Sequence, residues 1–395
     1  MAERTYSGEA GPYSHHIPSL DGLRGLAVLA VMCSHLFPGT TTSGLLLRSL
    51  GASLEFGAAG VDLFFVLSGF LITGILFDSL SESRYFRKFY ARRALRIFPL
   101  YYGVLIVFFI LTPWLGIRWH GMNLAFLFYL QNTNIAGQFY SFEVLGHLWS
   151  LAVEEQFYMI WPLAVFFIRD IKRLLWTCLA LSCVSILLRF FLALHHTVFH
   201  VINRGTLTRM DSLLIGAALA LLLRTRFHDS ILRWAKIAFL FVVVVVASLN
   251  IARSLVESNP AWLFNFDSTY LAVRYTLIAM GSASLIAWCL RPSSNLCRFF
   301  EGDILRFFGK YSYGLYVLHF VARDFLLKTF KKWISIVTPN KMIGVAGAGF
   351  LLFIVAIVAA YASYNLYEKY FLRLKHHFDY DRSEILEAPE FAATP

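Results

Sequence analysis

Residues 57–79 read GAAGVDLFFVLSGFLITGILFDS. Away from its inner end, where Asp78 lies, this stretch holds one ionisable side chain, Asp62. Crossing the hydrocarbon core of a bilayer takes about 20 predominantly apolar residues, with about 17–25 tolerated. The segment meets that requirement and reads as a membrane-spanning helix.

Working outward, the same criterion finds further spans at approximately 20–37, 97–117, 147–168, 174–195, 206–224, 234–252, 270–290, 312–330 and 343–367. Leu124–Leu130 is apolar but too short to cross, and reads as re-entrant or interfacial. The expected fold class is an all-α polytopic membrane protein of about ten transmembrane helices. Composition agrees, with 58% hydrophobic and only 15% charged residues and a mean hydropathy of +0.62. Soluble chains run at about 45–50% apolar and about 25% charged, so lipid must cover part of this surface.

The net charge of +11 would suit a nucleic-acid partner, but the Lys and Arg residues sit between apolar runs and not on one amphipathic face. That is the pattern of cytoplasmic loops under the positive-inside rule. With both termini cytoplasmic, the inner loops carry about twenty Lys and Arg against about eight outside. One expected outer loop dissents, holding Lys328, Lys331, Lys332 and Lys341. The five cysteines show neither CxxC nor Cys/His spacing, so neither a disulfide framework nor a metal site is expected. The domain plan is a polar segment over 1–19, a transmembrane domain over 20–371 and a polar tail over 372–395. The first apolar run lacks an A-x-A-like exit and is expected to be retained. Residues 379–395 are expected to be disordered.

A charged side chain inside a membrane helix costs about 2.5–3.5 kcal/mol on insertion scales, so each is a functional candidate. Arg24 and His35 lie in the first span, Asp62 in the second, Glu154 and Glu155 in the fourth, Asp211 in the sixth, His319 in the ninth and Glu368 at the end of the tenth. Arg24 and His35 are eleven residues apart, close to three helical turns, which puts them on one face about 16 Å apart along the axis. Asp62, Glu154 and Asp211 each fall early in a span descending from outside, at roughly the depth of His35. A histidine can take a proton from a hydroxyl, and a carboxylate can orient it. The basic loop 80–96 either anchors the chain to anionic lipid or holds phosphate, and Arg93 and Arg96, three residues apart, share a helix face.

Six motifs occur in order: IPSLDGLRGLAVLAVMCSH (17–35), GVDLFFVLSGFLI (60–72), RRALRIFPLY (92–101), HLWSLAVEEQFY (147–158), RMDSLLIG (209–216) and FGKYSYGLYVLH (308–319). Together they resemble the membrane acyltransferase-3 family, the bacterial O-acyltransferases of surface polysaccharides and related acceptors, over about Ile17 to Phe371. One departure is Glu368-Lys369-Tyr370-Phe371, where the family often has Glu-Lys-Pro-Phe. The resemblance implies an inner-membrane enzyme that moves an acyl group, most commonly acetyl, from cytoplasmic acyl-coenzyme A (acyl-CoA) to a hydroxyl of a glycan-like acceptor. It implies His35 as catalytic base, Arg24 as its companion, and Arg93 and Arg96 as the residues that hold the phosphates of coenzyme A (CoA). Glu154 is the carboxylate expected to orient His35. Asp62, Trp149, Ser150, Asp211 and His319 are expected near the acceptor. Asp62 and Asp211 equally suit ion pairs with arginines such as Arg209, Trp149 suits a membrane interface, and His319, placed in the inner half, suits a satisfied core position. Some relatives carry a fused periplasmic domain, so a second transfer step here is expected to use a separate protein. A transporter or flippase of glycan precursors is the rival function.

Overall fold

The computed structural model describes residues 17–37, 57, 59–114, 121–133, 143–195, 199–256, 260–291, 294–337 and 341–379, and every regular element among them is helical. The helices are α1 (Pro18–Leu36), α2 (Ala59–Asp78), α3 (Tyr85–Leu111), α4 (Trp149–Ile168), α5 (Ile171–Leu194), α6 (Phe199–Arg204), α7 (Thr206–Leu222), α8 (His228–Val256), α9 (Pro260–Cys289), α10 (Asn295–Phe300), α11 (Asp303–Val337), α12 (Lys341–Ser363) and α13 (Lys369–Arg373). In lipid every backbone polar group must be satisfied within the chain, and helices do this locally.

Among the described residues, nine segments are long and apolar enough to cross a membrane. The one remaining expected span, the ninth at 312–330, falls within α11, which runs for 35 residues and carries Arg306, Lys310 and Arg323. Its charge sets it apart from the nine, yet it packs between α1 and α12. Lys328, Lys331 and Lys332, expected in an outer loop, belong to this helix. The short apolar piece forms a 3-10 turn, Gly121–Phe128, pinned to α3. Tyr101 Oη donates to Phe126 O at 2.7 Å, and Tyr102 Oη donates to Leu127 O at 2.9 Å.

Lipid tails are as apolar as leucine, so helices in a bilayer associate by close packing, which small residues permit. Two contacts here depend on it. A Cβ added at Gly25 of α1 would collide with the Leu305 carbonyl of α11, and one at Gly309 of α11 would collide with the Asp21 carbonyl of α1. Gly69 of α2 and Gly216 of α7 approach the Leu213 and Val66 carbonyls in the same reciprocal way. The outer helices α3, α5 and α8 expose large apolar side chains such as Ile106, Trp176 and Phe241, as a lipid-facing surface does.

The helical region continues past residue 371, where the tail was expected to begin. A π turn (Tyr364–Glu368), α13 and a 3-10 turn (Leu374–Phe378) fold back onto α3. Arg92 Nη1 donates to Phe378 O at 3.3 Å and pairs with Asp379. The expected polar N-terminal segment up to residue 16 and the tail from 380 onward lie outside the described residues.

Gly25→Val and Gly216→Val force backbone apart at these contacts and are expected to cost about 1–3 kcal/mol or more, the scale of overpacking. Gly146→Ala, whose added Cβ meets nothing within 4 Å, serves as control. Thermal unfolding in detergent should fall for the first two and hold for the third.

Candidate active site

A pocket opens into the bundle, with about 770 Å³ of empty space that includes open solvent. One end is lined by Arg24, Arg93 and Arg96, the middle by Ser68 and Glu154, and the other end by Ser150 and Tyr316. Five helices supply it: α1, α2, α3, α4 and α11.

At the basic end, Arg24 pairs with Asp21 at 2.8 Å. Arg93 lies against the rings of Phe89 and Tyr158. Arg93 and Arg96 are three residues apart on α3, so one helical turn aims both at the cavity. The fold-back at the C-terminus adds Lys375, which is within electrostatic reach of Arg96, Arg93, Arg92 and Arg24. The cavity lining itself carries three arginines against one carboxylate, Glu154, with Asp21, Glu155 and Glu368 also within electrostatic reach. A guanidinium presents two parallel N–H donors, which suits phosphate oxygens.

In the middle, Ser68 Oγ donates to Glu154 Oε1 at 2.8 Å. Ser68, in the Ser-Gly-Phe stretch of α2, is thereby a cavity residue. Glu154 lies within electrostatic reach of the three arginines, and the hydrogen-bond partner of His35 is His319. The expected Glu154–His35 contact is thus corrected. α4 turns Glu154 toward the cavity while His35 lies beyond its far end.

That far end is closed by hydrogen bonds. Tyr316 Oη donates to His147 O at 2.8 Å, and a hydroxyl has a single hydrogen, so Ser150 Oγ donates to Tyr316 Oη at 2.6 Å. The Tyr316 ring then packs 5.9 Å from His319. His35 Nδ1 lies 2.9 Å from His319 Nε2, with the rings stacked 5.2 Å apart at 4°. His319 is therefore at the depth of His35 and not in the opposite half, as the sequence suggested. α1 and α11 run side by side in the same direction, which brings their two histidines level.

Asp62, Asp211 and Trp149 do not line the cavity. Asp62 accepts from Arg209 Nη2 at 2.7 Å and from Ser212 Oγ at 3.0 Å. Arg209 lies 3.7 Å above the Tyr275 ring and 5.7 Å from that of Trp149. Asp211 meets Arg189 through two hydrogen bonds, at 2.9 and 2.8 Å, with both side chains fully buried. Arg189 also donates to Ala272 O and Thr276 Oγ1. These carboxylates are committed to arginines, which corrects their expected place beside the acceptor and beside His35. An isolated buried charge is far costlier than a paired one, and the pairing consumes them.

Sequence reasoning passed over Arg189, His147, Tyr316 and Lys375 as site residues. Arg189 was detectable as a charge inside the expected 174–195 span. The others carry no local signal, because their roles depend on which helices meet.

These observations define a polytopic, all-helical membrane protein whose central cavity joins a cationic end to a wall of serine and tyrosine. The chain belongs to the acyltransferase-3 family: residues 17–364 match the family described as "Acyltransferase domain". It is similar to the peptidoglycan O-acetyltransferase OatA of Listeria monocytogenes, with 33% identity over 327 residues, covering 77% of this chain and 49% of that protein. A putative O-acetyltransferase of Staphylococcus aureus is 30% identical over 337 residues, covering 79% and 51%. The O-acetyltransferase OatA of Staphylococcus aureus is 30% identical over 334 residues, covering 77% and 50%. The chain spans about half the length of these curated relatives. No solved structure matches it.

Removing one partner of a buried pair strands the other, at a cost of about 3–5 kcal/mol, whereas replacing both by apolar residues is much milder. Arg189→Leu and Asp211→Leu are each expected to lower the unfolding temperature in detergent sharply. The double variant should recover most of the loss. Additive losses would show that the pair is not coupled.

Proposed function

We propose that this protein transfers an acyl group, acetyl in the simplest case, from acyl-CoA to a hydroxyl of an envelope glycan such as peptidoglycan. The bacterial inner membrane is its place, with both termini cytoplasmic. The observation that carries this reading is the cavity leading from three arginines to the wall behind which His35 stands.

The donor's phosphates sit at the basic end against Arg93, Arg96 and Arg24, with Lys375 contributing charge. A cluster of cations in excess of carboxylates suits a polyphosphate, and its low-dielectric surroundings strengthen the attraction. Arg24 and His35 are about 16 Å apart along α1, comparable to an extended pantetheine arm. The thioester therefore arrives near Tyr316, and the Ser150–Tyr316–His147 contacts part to admit it to His35.

His35 then removes the proton from the acceptor hydroxyl as its oxygen attacks the thioester carbonyl. The carbon–sulfur bond breaks, the new ester forms, and the proton passes from His35 to the departing thiolate. The net change is thioester plus alcohol to ester plus thiol. Glu154, held by Ser68, stands beside the donor's path and offsets part of the arginine charge. Where the final acceptor lies beyond this site, a separate extracytoplasmic transferase takes the group onward.

Isolated membranes supplied with radiolabelled acetyl-CoA and envelope glycan should label the glycan. His35→Ala should lower kcat by about 100-fold or more, the scale of a lost general base. Arg93→Ala or Arg96→Ala should raise the donor KM by about 10-fold or more, as one lost charged hydrogen bond does. Glycan moved across vesicles with no donor consumed would overturn the proposal in favour of transport.

A further inference from the structure

The two histidines sit in a chain of hydrogen bonds whose direction can be worked out. His319 Nδ1 lies 3.0 Å from the carbonyl oxygen of Leu315, one turn earlier on α11. A carbonyl only accepts, so Nδ1 carries the hydrogen and Nε2 of the neutral ring holds the lone pair. His35 Nδ1 is 2.9 Å from that lone pair and is therefore the donor. The hydrogen of a neutral His35 is thereby placed on Nδ1, and Nε2 is left as the basic atom. His35 Nε2 makes no other hydrogen bond among the described residues.

The surroundings hold this chain in place. His319 is fully buried, with His147 edge-on at 5.4 Å and Phe320 edge-on at 6.0 Å. Phe320 also meets the His35 ring edge-on at 5.2 Å. His147 Nε2 donates to Val317 O at 3.2 Å, which ties its 3-10 turn (Glu143–Leu148) to α11. Turning either imidazole of the pair breaks a hydrogen bond.

We propose that His319 is the positioning residue for His35: a neutral imidazole anchored on Leu315 O that accepts the Nδ1 hydrogen of His35 and so presents Nε2 to the acceptor hydroxyl. This rests on the reading of the protein as an O-acyltransferase with His35 as base. The hydroxyl proton goes to His35 Nε2 and leaves from Nε2 to the thiolate, while the Nδ1 hydrogen stays between the two rings throughout. The orienting group carries no negative charge. A carboxylate there would stabilise the protonated His35, whereas a neutral acceptor leaves that proton easily surrendered to the leaving group.

Two substitutions separate this from packing. In His319→Gln the amide oxygen can take the place of Nε2 and accept from His35. In His319→Asn the shorter side chain reaches only the Nδ1 position and leaves His35 without its acceptor. His319→Gln should keep kcat within about 10-fold of wild type. His319→Asn should lose about 100-fold or more, approaching the scale on which a wrong base tautomer acts. Donor KM and thermal unfolding in detergent should be alike in both. Equal kcat losses in the two variants, or losses that track unfolding temperature, would overturn the proposal.

Nitrogen-15 spectra of histidine-labelled protein, with His35→Asn used for assignment, test the pairing without any turnover. The Nδ1–H form of His35 should appear in wild type and His319→Gln and vanish in His319→Asn. A His35 that carries its hydrogen on Nε2 in wild type would overturn the pairing even if transfer is measured. Absence of acyl transfer in wild type with the Nδ1–H form present would instead fault the functional reading.

Discussion

The close approach of α1 to α11 is the contact on which the site depends. Gly25 and Gly309 let two backbones meet where any side chain would hold them apart. With the helices so near and running in the same direction, Arg24 and Asp21 fall beside the start of α11, and His35 falls beside His319. Tyr313 and Tyr316, on the same helix as His319, then line the cavity. Loosening this contact by an ångström or two would separate the two imidazoles and open the cavity wall together. A bilayer supplies no hydrophobic drive to restore it, so shape complementarity must do so.

Charge is used in two ways within one bundle. Arg189–Asp211 and Arg209–Asp62 are matched pairs, fully buried and tied to neighbouring carbonyls and hydroxyls. They join α5, α9, α7 and α2. The cations lining the cavity's basic end are instead in excess there, three arginines to Glu154, with Asp21, Glu155 and Glu368 also within electrostatic reach. A protein gains nothing in stability from crowding like charges, so an excess facing a cavity fits an anionic ligand and a matched pair fits a strut.

The same distinction explains which site residues could be read from the chain. Arg93 and Arg96 were legible because both roles are local: helical spacing alone puts them on one face. Arg24 and His35 were legible for the same reason. Asp62 and Asp211 looked equivalent to Glu154, because all three begin spans at similar depth. Their partners lie on other helices, as many as 147 residues away in the case of Asp62 and Arg209, and no spacing rule reaches that far. His319 was misplaced in depth because α11 is a long, charged helix and not a standard span with a loop after residue 330.

What the sequence determined by itself is the membrane class, the helical content, the order of the spans and the residues on each helix face. These follow from hydrocarbon thickness, backbone satisfaction in lipid and the 3.6-residue repeat, all of which act within a segment. Only the tertiary structure decided that Glu154 answers to Ser68, that His35 answers to His319, and that Lys375 returns to the basic end. Those pairings depend on which helices touch and at what height. Contacts between small residues on separate helices set that geometry, and a linear pattern of hydrophobicity does not encode it.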